Sequence, residues 1–289
     1  MEIVTTGAAL RQKIRERGEL PSCIGLVPTM GYLHAGHEAL LRRARAECDL
    51  VIASIFVNPT QFGPNEDLDK YPRDLSHDTE LCTRAGTDYI FHPEARELYP
   101  RNASTWVTVE GLTEVACGTA RPGHFRGVAT VVTKLFNIIR PDRAYFGEKD
   151  FQQLQVIKRM VRDLFIPISI IGIPTVREAD GVALSSRNSY LTPTERQAAR
   201  IVPRACHLAL EMVENGEQNP TIVQAEVYRL VAAQPMAKLD YAEIVDAEEL
   251  IPIRMITQES RFLLAVQIGK TRLIDNIALL PKGVAPPVR

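Results

Sequence analysis

The sequence predicts an α/β protein in two parts, a doubly wound parallel-sheet domain followed by a smaller α+β domain with an antiparallel sheet. Three observations predict it. Short apolar runs alternate with stretches of helical period between Cys23 and Pro174, the texture changes after Thr192 to helices followed by strands, and 289 residues amount to two domains at roughly 150 residues each.

The first part follows in order along the chain. Ile24-Gly25-Leu26-Val27 is a buried strand, 38–46 a helix, 50–57 a second strand, 75–85 a second helix and 88–91 a third strand. A helix over 128–139, a strand over 144–146, a helix over 151–164 and the run Ile168-Ser169-Ile170-Ile171-Gly172-Ile173 continue the alternation. Such βαβ succession makes a parallel sheet, here a Rossmann-like one.

In the second part, Thr192-Pro193-Thr194-Glu195 joins a capping-box pattern to a proline at the first helical position, so a helix begins there. A further helix covers 221–233. Strands follow at 241–245, 261–268 and 271–279, the last two joined across Gly269-Lys270 as a tight hairpin. The boundary falls between Pro174 and Thr192 and is set at 180, giving domains 1–180 and 181–289, with a frayed end over 281–289.

Composition narrows the function. Hydrophobic residues are 45% and charged residues 24%, an ordinary globular balance, and 34 basic against 35 acidic side chains leave a net charge of −1. Nothing there advertises a polyanion-binding surface, so nucleic acid is not an expected partner. The first residues lack a signal-peptide pattern and no stretch approaches the roughly 18 apolar residues of a membrane span, so the expectation is a cytoplasmic protein with no membrane partner. The five cysteines (Cys23, Cys48, Cys82, Cys117, Cys206) are scattered and never in CxxC spacing, which indicates neither a disulfide framework nor a zinc site.

The segment that carries most chemistry is 27–37, Val27-Pro28-Thr29-Met30-Gly31-Tyr32-Leu33-His34-Ala35-Gly36-His37, between the first strand and the first helix. With the helix beginning near Ala35, its free N–H groups and positive dipole end face the mouth of the sheet, where a phosphate binds. Gly31, Ala35 and Gly36 permit close approach. His34 and His37 are three apart, so both imidazoles lie on the first turn within reach of one phosphate. A lone histidine at a helix start is most often a surface residue. A strand, a Thr-Met-Gly turn and His-x-Gly-His opening a helix rarely coincide by chance, and together they resemble the signature of the nucleotidyltransferase superfamily related to class I aminoacyl-tRNA synthetases.

Three more segments fit nucleotide chemistry. Ala183-Leu184-Ser185-Ser186-Arg187-Asn188 offers two hydroxyls and a guanidinium suited to a pyrophosphate leaving group, although Ser-Ser-Arg alone is usually just a loop. At 145–153 a strand gives way to a helix: Lys149 suits a phosphate and Asp150 a ribose hydroxyl. The helix dipole explains Glu148 and Asp150 without a ligand but not Lys149. The loop Asn58-Pro59-Thr60-Gln61 carries neutral amides that suit a hydroxylated substrate and reads equally well as a proline-bearing turn.

Taken together, Pro28-Thr29-Met30-Gly31, Phe56 to Phe62, Arg121-Pro122-Gly123-His124-Phe125, Phe146 to Asp150 and Leu184 to Asn188 closely resemble the pantothenate synthetase (pantoate-β-alanine ligase) family. The resemblance implies a two-step reaction. Pantoate attacks the α-phosphorus of ATP and expels pyrophosphate, then β-alanine attacks the pantoyl adenylate and AMP leaves. It implies ATP contacts at Met30, Gly31, Tyr32, Leu33, His34, Ala35, Gly36 and His37, at Gly147, Glu148, Lys149 and Asp150, at Val176 near the adenine, and at Leu184, Ser185, Ser186 and Arg187. Gln61 and Gln153 become pantoate ligands, and His37, His34 and Lys149 the catalytic residues, with His37 a general acid or an electrostatic stabiliser. Magnesium arrives with ATP, with Asp78 as a candidate for its outer coordination sphere, and His77-Asp78 stands where relatives often have two acidic residues. The C-terminal domain becomes a lid, and the protein a homodimer. Two rival readings are a nucleotidyltransferase of the same superfamily acting on a phosphorylated acceptor, and a non-catalytic nucleotide- or RNA-binding module.

Overall fold

Apolar runs long enough to cross a sheet but too short for a helix become strands. In a computed structural model that describes residues 1–17, 21–64 and 66–281, Ile24–Thr29 is β2 and Leu50–Ile55 is β3, both almost wholly buried. They are flanked by β1 (Glu2–Val4), β4 (Tyr89–Phe91), β5 (Arg143–Gly147) and β6 (Ser169–Ile173) in one parallel sheet of order β1-β4-β3-β2-β5-β6. The chain winds outward from β2 through β3 to β4, then returns to lay β5 and β6 on the other side. The sheet therefore reverses between β2 and β5, and α/β sheets bind ligands at the carboxyl ends of strands at such a point.

Helices α1 (Gly7–Arg15), α2 (Ala35–Glu47), α3 (Leu75–Arg84), α4 (Ala95–Leu98), α5 (Ala116–Ala120), α6 (His124–Ile139) and α7 (Phe151–Asp163) run between these strands. α2 buries Leu40, Leu41 and Ala44 in a cluster with Val27, Val51 and Ile55 of the strands, Leu81 of α3 and Leu33 of the turn before it. β1, α1, α4 and α5 lie outside the expected alternation, although α1 has a Thr6 cap and buries Gly7, Leu10 and Ile14 at helical spacing; β1 is a three-residue edge strand paired with β4.

A separate three-stranded antiparallel sheet contains β7 (Ala237–Asp246), β8 (Ser260–Ile268) and β9 (Thr271–Leu279), with Ile268 and Thr271 paired across Gly269-Lys270 as expected. α9 (Ile201–Glu214) and α10 (Pro220–Ala232) pack on it. The capping box forms: Thr192 Oγ1 accepts from the Glu195 N–H and Glu195 Oε2 accepts from the Thr192 N–H at 2.8 Å. The helix it opens, α8 (Pro193–Ala198), ends after six residues. Pro203 explains the break, because it has no N–H to offer Ala199 and its ring crowds that carbonyl.

The chain divides into two compact units. One comprises Met1–Val109, Arg121–Glu148 and Val156–Thr175; the other comprises Glu110–Ala120, Lys149–Gln155 and the chain from Val176 on. The division differs from a single cut at 180. The second unit starts at Val176 and takes in two earlier segments, joined to each other by Gln152, which accepts from the Cys117 N–H at 3.0 Å and donates to the carbonyls of Leu112 and Val115. Hydrophobic period cannot show such long-range pairing. The expected fraying at 281–289 lies, apart from Pro281, outside the described residues. Among the described residues no helix is long and apolar enough to cross a membrane.

Candidate active site

In the first unit the turn leaving β2 is built by backbone geometry. Gly31 and Tyr32 both adopt left-handed conformations, φ 88° and 51°, which turn the chain sharply before α2. The N–H groups of Tyr32 and Leu33 then point at Asp78 of α3, whose two carboxylate oxygens accept them at 2.8 and 2.6 Å. Asp78 is 1% exposed, and burial lifts its carboxyl above the ordinary value against the pull of those two donors. His77 Nε2 bonds to the Leu33 carbonyl at 3.0 Å, and the Leu33 side chain is buried in the core. Asp78 thus holds the turn that leads into α2.

α2 begins at Ala35 with His34 as its N-cap. His34 Nδ1 accepts the Gly36 N–H at 3.1 Å and His37 Nδ1 accepts the His34 N–H at 3.2 Å. The histidines therefore make a reciprocal cap in the manner of a Ser/Glu box. An Nδ1 that accepts leaves the neutral ring its proton on Nε2, so each imidazole carries its N–H on the side away from the cap. The ring centroids are 4.1 Å apart and tilted by 42°. Two N–H donors stand side by side at a helix N-terminus, next to the point where the sheet reverses.

Gln61 closes a single turn, Pro59–Gln61, capped by Asn58. Its Nε2 donates to Met30 Sδ at 2.9 Å and its Oε1 accepts from Asn58 Nδ2 at 3.2 Å, so the structure brings two sequence-predicted residues, Met30 and Gln61, together. Asn58 Nδ2 also donates to the Gly127 carbonyl at 3.1 Å. α6 lies so close that a Cβ at Gly127 would stand 2.4 Å from the Thr60 carbonyl, which leaves glycine alone at that position. The Gln61 carbonyl accepts from Arg121 at 3.2 Å and from His124 Nδ1 at 2.9 Å. Arg121 in turn grips Glu66 with two bonds, Nε to Oε1 at 2.8 Å. Burial pushes the Glu66 carboxyl upward, but the bond and charge of Arg121 outweigh it and hold the group below its ordinary range. The positioning parts of Arg121 and His124 were invisible in the sequence, because their target is a carbonyl. Gly147 ends β5 and Glu148 opens the turn that follows it.

In the second unit Lys149 and Asp150 complete that turn, and Lys149 Nζ lies 3.6 Å from Asp150 Oδ2. Gln153 is half-buried on the first turn of α7, while its neighbour Gln152 is buried in the backbone bonds given above. Val176 and Leu184 meet: 176–184 folds back on itself, with Arg177 bridged to Ala183 and the Leu184 N–H donating to the Val176 carbonyl at 3.0 Å. Ser185 then caps a short turn, Ser186–Tyr190, by accepting the Arg187 N–H at 3.3 Å. Arg177 pairs in two bonds, 2.6 and 2.9 Å, with the buried Asp275 of β9.

A family model described as pantoate-beta-alanine ligase matches residues 2–278. A pantothenate synthetase of Moorella thermoacetica is 56% identical over 279 residues, covering 96% of this chain and 99% of that protein. Among solved structures, pantothenate synthetase from Thermus thermophilus superposes with a TM-score of 0.92 at 47% identity, covering 97% of this chain and 100% of that one. A pantoate-beta-alanine ligase from Francisella tularensis, complexed with beta-gamma ATP and beta-alanine, superposes at 0.79 with 35% identity, covering 96% of this chain and 97% of that one.

Proposed function

We propose that this chain, which belongs to the pantoate-β-alanine ligase family, joins pantoate to β-alanine at the expense of ATP through pantoyl adenylate. The observation that carries the reading is the pair of imidazoles, rings 4.1 Å apart, capping α2 at the carboxyl end of β2. In the first step a pantoate carboxylate oxygen bonds to the α-phosphorus while the bond to the β-phosphate bridging oxygen breaks. Negative charge builds on the phosphoryl oxygens, and the Nε2–H donors of His34 and His37, with the N-terminal amides of α2, are suited to meet it. Lys149 and Arg187 supply charge for the pyrophosphate that departs. In the second step the amine nitrogen of β-alanine bonds to the acyl carbon, AMP leaves with the electron pair of the mixed anhydride, and the nitrogen loses a proton. No protein nucleophile is required, so the chain works by positioning and electrostatics.

In this reading the ATP contacts are Met30 to His37, Gly147 to Asp150, Val176 and Leu184 to Arg187, and Gln61 and Gln153 hold pantoate. The amide of Gln61, a donor and an acceptor on one side chain, suits a hydroxy acid. Magnesium fits as a cation carried by the phosphates. Among the described residues no cluster of three or more His, Cys, Asp or Glu forms a cage, and both Asp78 oxygens accept N–H bonds. When bound, it neutralises triphosphate charge. The protein acts as a cytoplasmic homodimer, a state that light scattering checks.

One assay tests the chemistry. Pyrophosphate release must require pantoate, and AMP release must then require β-alanine; pyrophosphate release with a phosphorylated acceptor and no amide product would instead indicate nucleotidyl transfer. His37→Ala should slow single-turnover adenylate formation by on the order of 10²–10³, the usual loss for one preorganised donor. An unchanged rate removes His37 from the chemistry.

A further inference from the structure

Lys149 sits near the start of α7, yet the groups that hold its backbone come from the far end of the chain. Asn276 of β9 is buried, and its Nδ2 donates to the Lys149 carbonyl at 2.8 Å, across 127 positions of sequence. Its Oδ1 accepts from Arg261 Nε of β8 at 2.7 Å, and its own N–H donates to Asp275 Oδ1 at 2.8 Å. Arg261 faces Ala278 and Leu263 faces Asn276 across the β8–β9 pair, so Arg261 and Asn276 are diagonal neighbours on one face of the sheet. The Arg261 guanidinium carbon stands 4.2 Å from the centroid of the Phe151 ring. The chain is thereby held at two points that bracket Lys149, by a bond to its carbonyl and by a cation stacked on the ring two residues later.

The orientation of the Asn276 amide follows from its partners. An arginine Nε–H can only donate, so it must face the amide oxygen, and the amide nitrogen is left for a carbonyl. Lysine is a point charge on a flexible stem, so how well it serves a transition state depends on where its backbone is fixed. The turn Glu148–Asp150 is a single 3₁₀ turn leading into α7.

We propose that Asn276 is a positioning residue for Lys149, its carboxamide, oriented by Arg261, fixing the carbonyl from whose residue the ammonium reaches the nucleotide phosphates. The inference rests on the reading that Lys149 grips the triphosphate.

The test is a cycle of Asn276→Asp and Lys149→Ala, read by pantoate-dependent pyrophosphate release in a single turnover. Asn276→Asp keeps the size and the acceptor for Arg261 but sets an oxygen against the Lys149 carbonyl. The expected results are a loss on the order of 10- to 100-fold for Asn276→Asp, with the KM for β-alanine little changed, a loss at least as large for Lys149→Ala, and no added loss in the double variant. Should Asn276→Asp fold poorly, Asn276→Ser enters the same cycle. A full rate for the Asn276 variant beside a slow Lys149→Ala enzyme overturns this inference and leaves the functional reading standing. Losses that multiply in the double variant also overturn it, because Asn276 then acts independently of Lys149. A full rate for Lys149→Ala overturns the inference together with the phosphate role of Lys149.

Discussion

The turn around His34 and the turn around Lys149 are held by opposite means. At the first, the cap and the bend are local: His34 and His37 cap one another three residues apart and Gly31 and Tyr32 supply the left-handed bend, while Asp78 and His77 of α3 and the Gln61 amide reach in from outside. At the second, the supports are distant side chains of β8 and β9, with Asn276 on the Lys149 carbonyl and Asp275 on Arg177, 98 positions away. The difference teaches how each region should fail. A local turn keeps much of its shape when one side chain is lost, because the backbone conformation and the remaining cap survive. A turn hung on a buried polar network fails as a unit, because each group left behind is buried without its partner.

The largest expected effect is therefore in the second unit. The Asp275 side chain is wholly buried and takes two bonds from Arg177, so Asp275→Ala strands a guanidinium and should cost about 3–5 kcal/mol of stability. His34→Ala removes one helix cap and should cost about 1 kcal/mol. Urea unfolding of both variants measures the contrast, and equal losses would break it.

Asp78 offers a middle case, a distant side chain serving the local turn. Asp78→Asn keeps one acceptor but sets an NH2 against a backbone N–H, leaving a buried donor unmet at about 1–3 kcal/mol. Urea unfolding should place it between the other two. Adenylate formation should slow as well, since the turn it holds leads directly into His34; a stability loss with an unchanged rate would separate the turn from the chemistry.

The same contrast governs what the sequence could tell. The parallel sheet, the start of α2 at Ala35, the Thr192–Glu195 cap and the Gly269-Lys270 hairpin were legible, because each is written in neighbouring residues as a period, a cap or a turn. So was the His34/His37 pair as a feature of a helix start, though not that the two rings cap each other. The hold of Asp78 on its turn, the grip of Arg121 and His124 on the Gln61 carbonyl, and the bond from Asn276 to Lys149 left no trace in spacing. Their targets are backbone atoms, which every residue has. That two earlier segments belong to the second unit went unseen for a related reason: Gln152 bonds to the carbonyls of Leu112 and Val115, and no composition shift marks such a junction.

An effect as small as that of His34→Ala concerns the Gln61 turn, whose support mixes the two kinds: Glu66 is local to it, while Arg121 comes from 60 positions away. Glu66 has a folded pKa below its ordinary 4.5. A carboxylate depressed in this way adds stability above its unfolded pKa and loses it as pH falls through the folded value. Wild type should therefore exceed Glu66→Gln by a constant amount, about 1 kcal/mol, above pH 4.5, and the gap should close on acidification below it. Thermal unfolding of the two proteins across that range reads the gap. A gap that survives at low pH would mean that Glu66 acts through packing rather than charge, and would put the Gln61 turn with the local region instead of between the two.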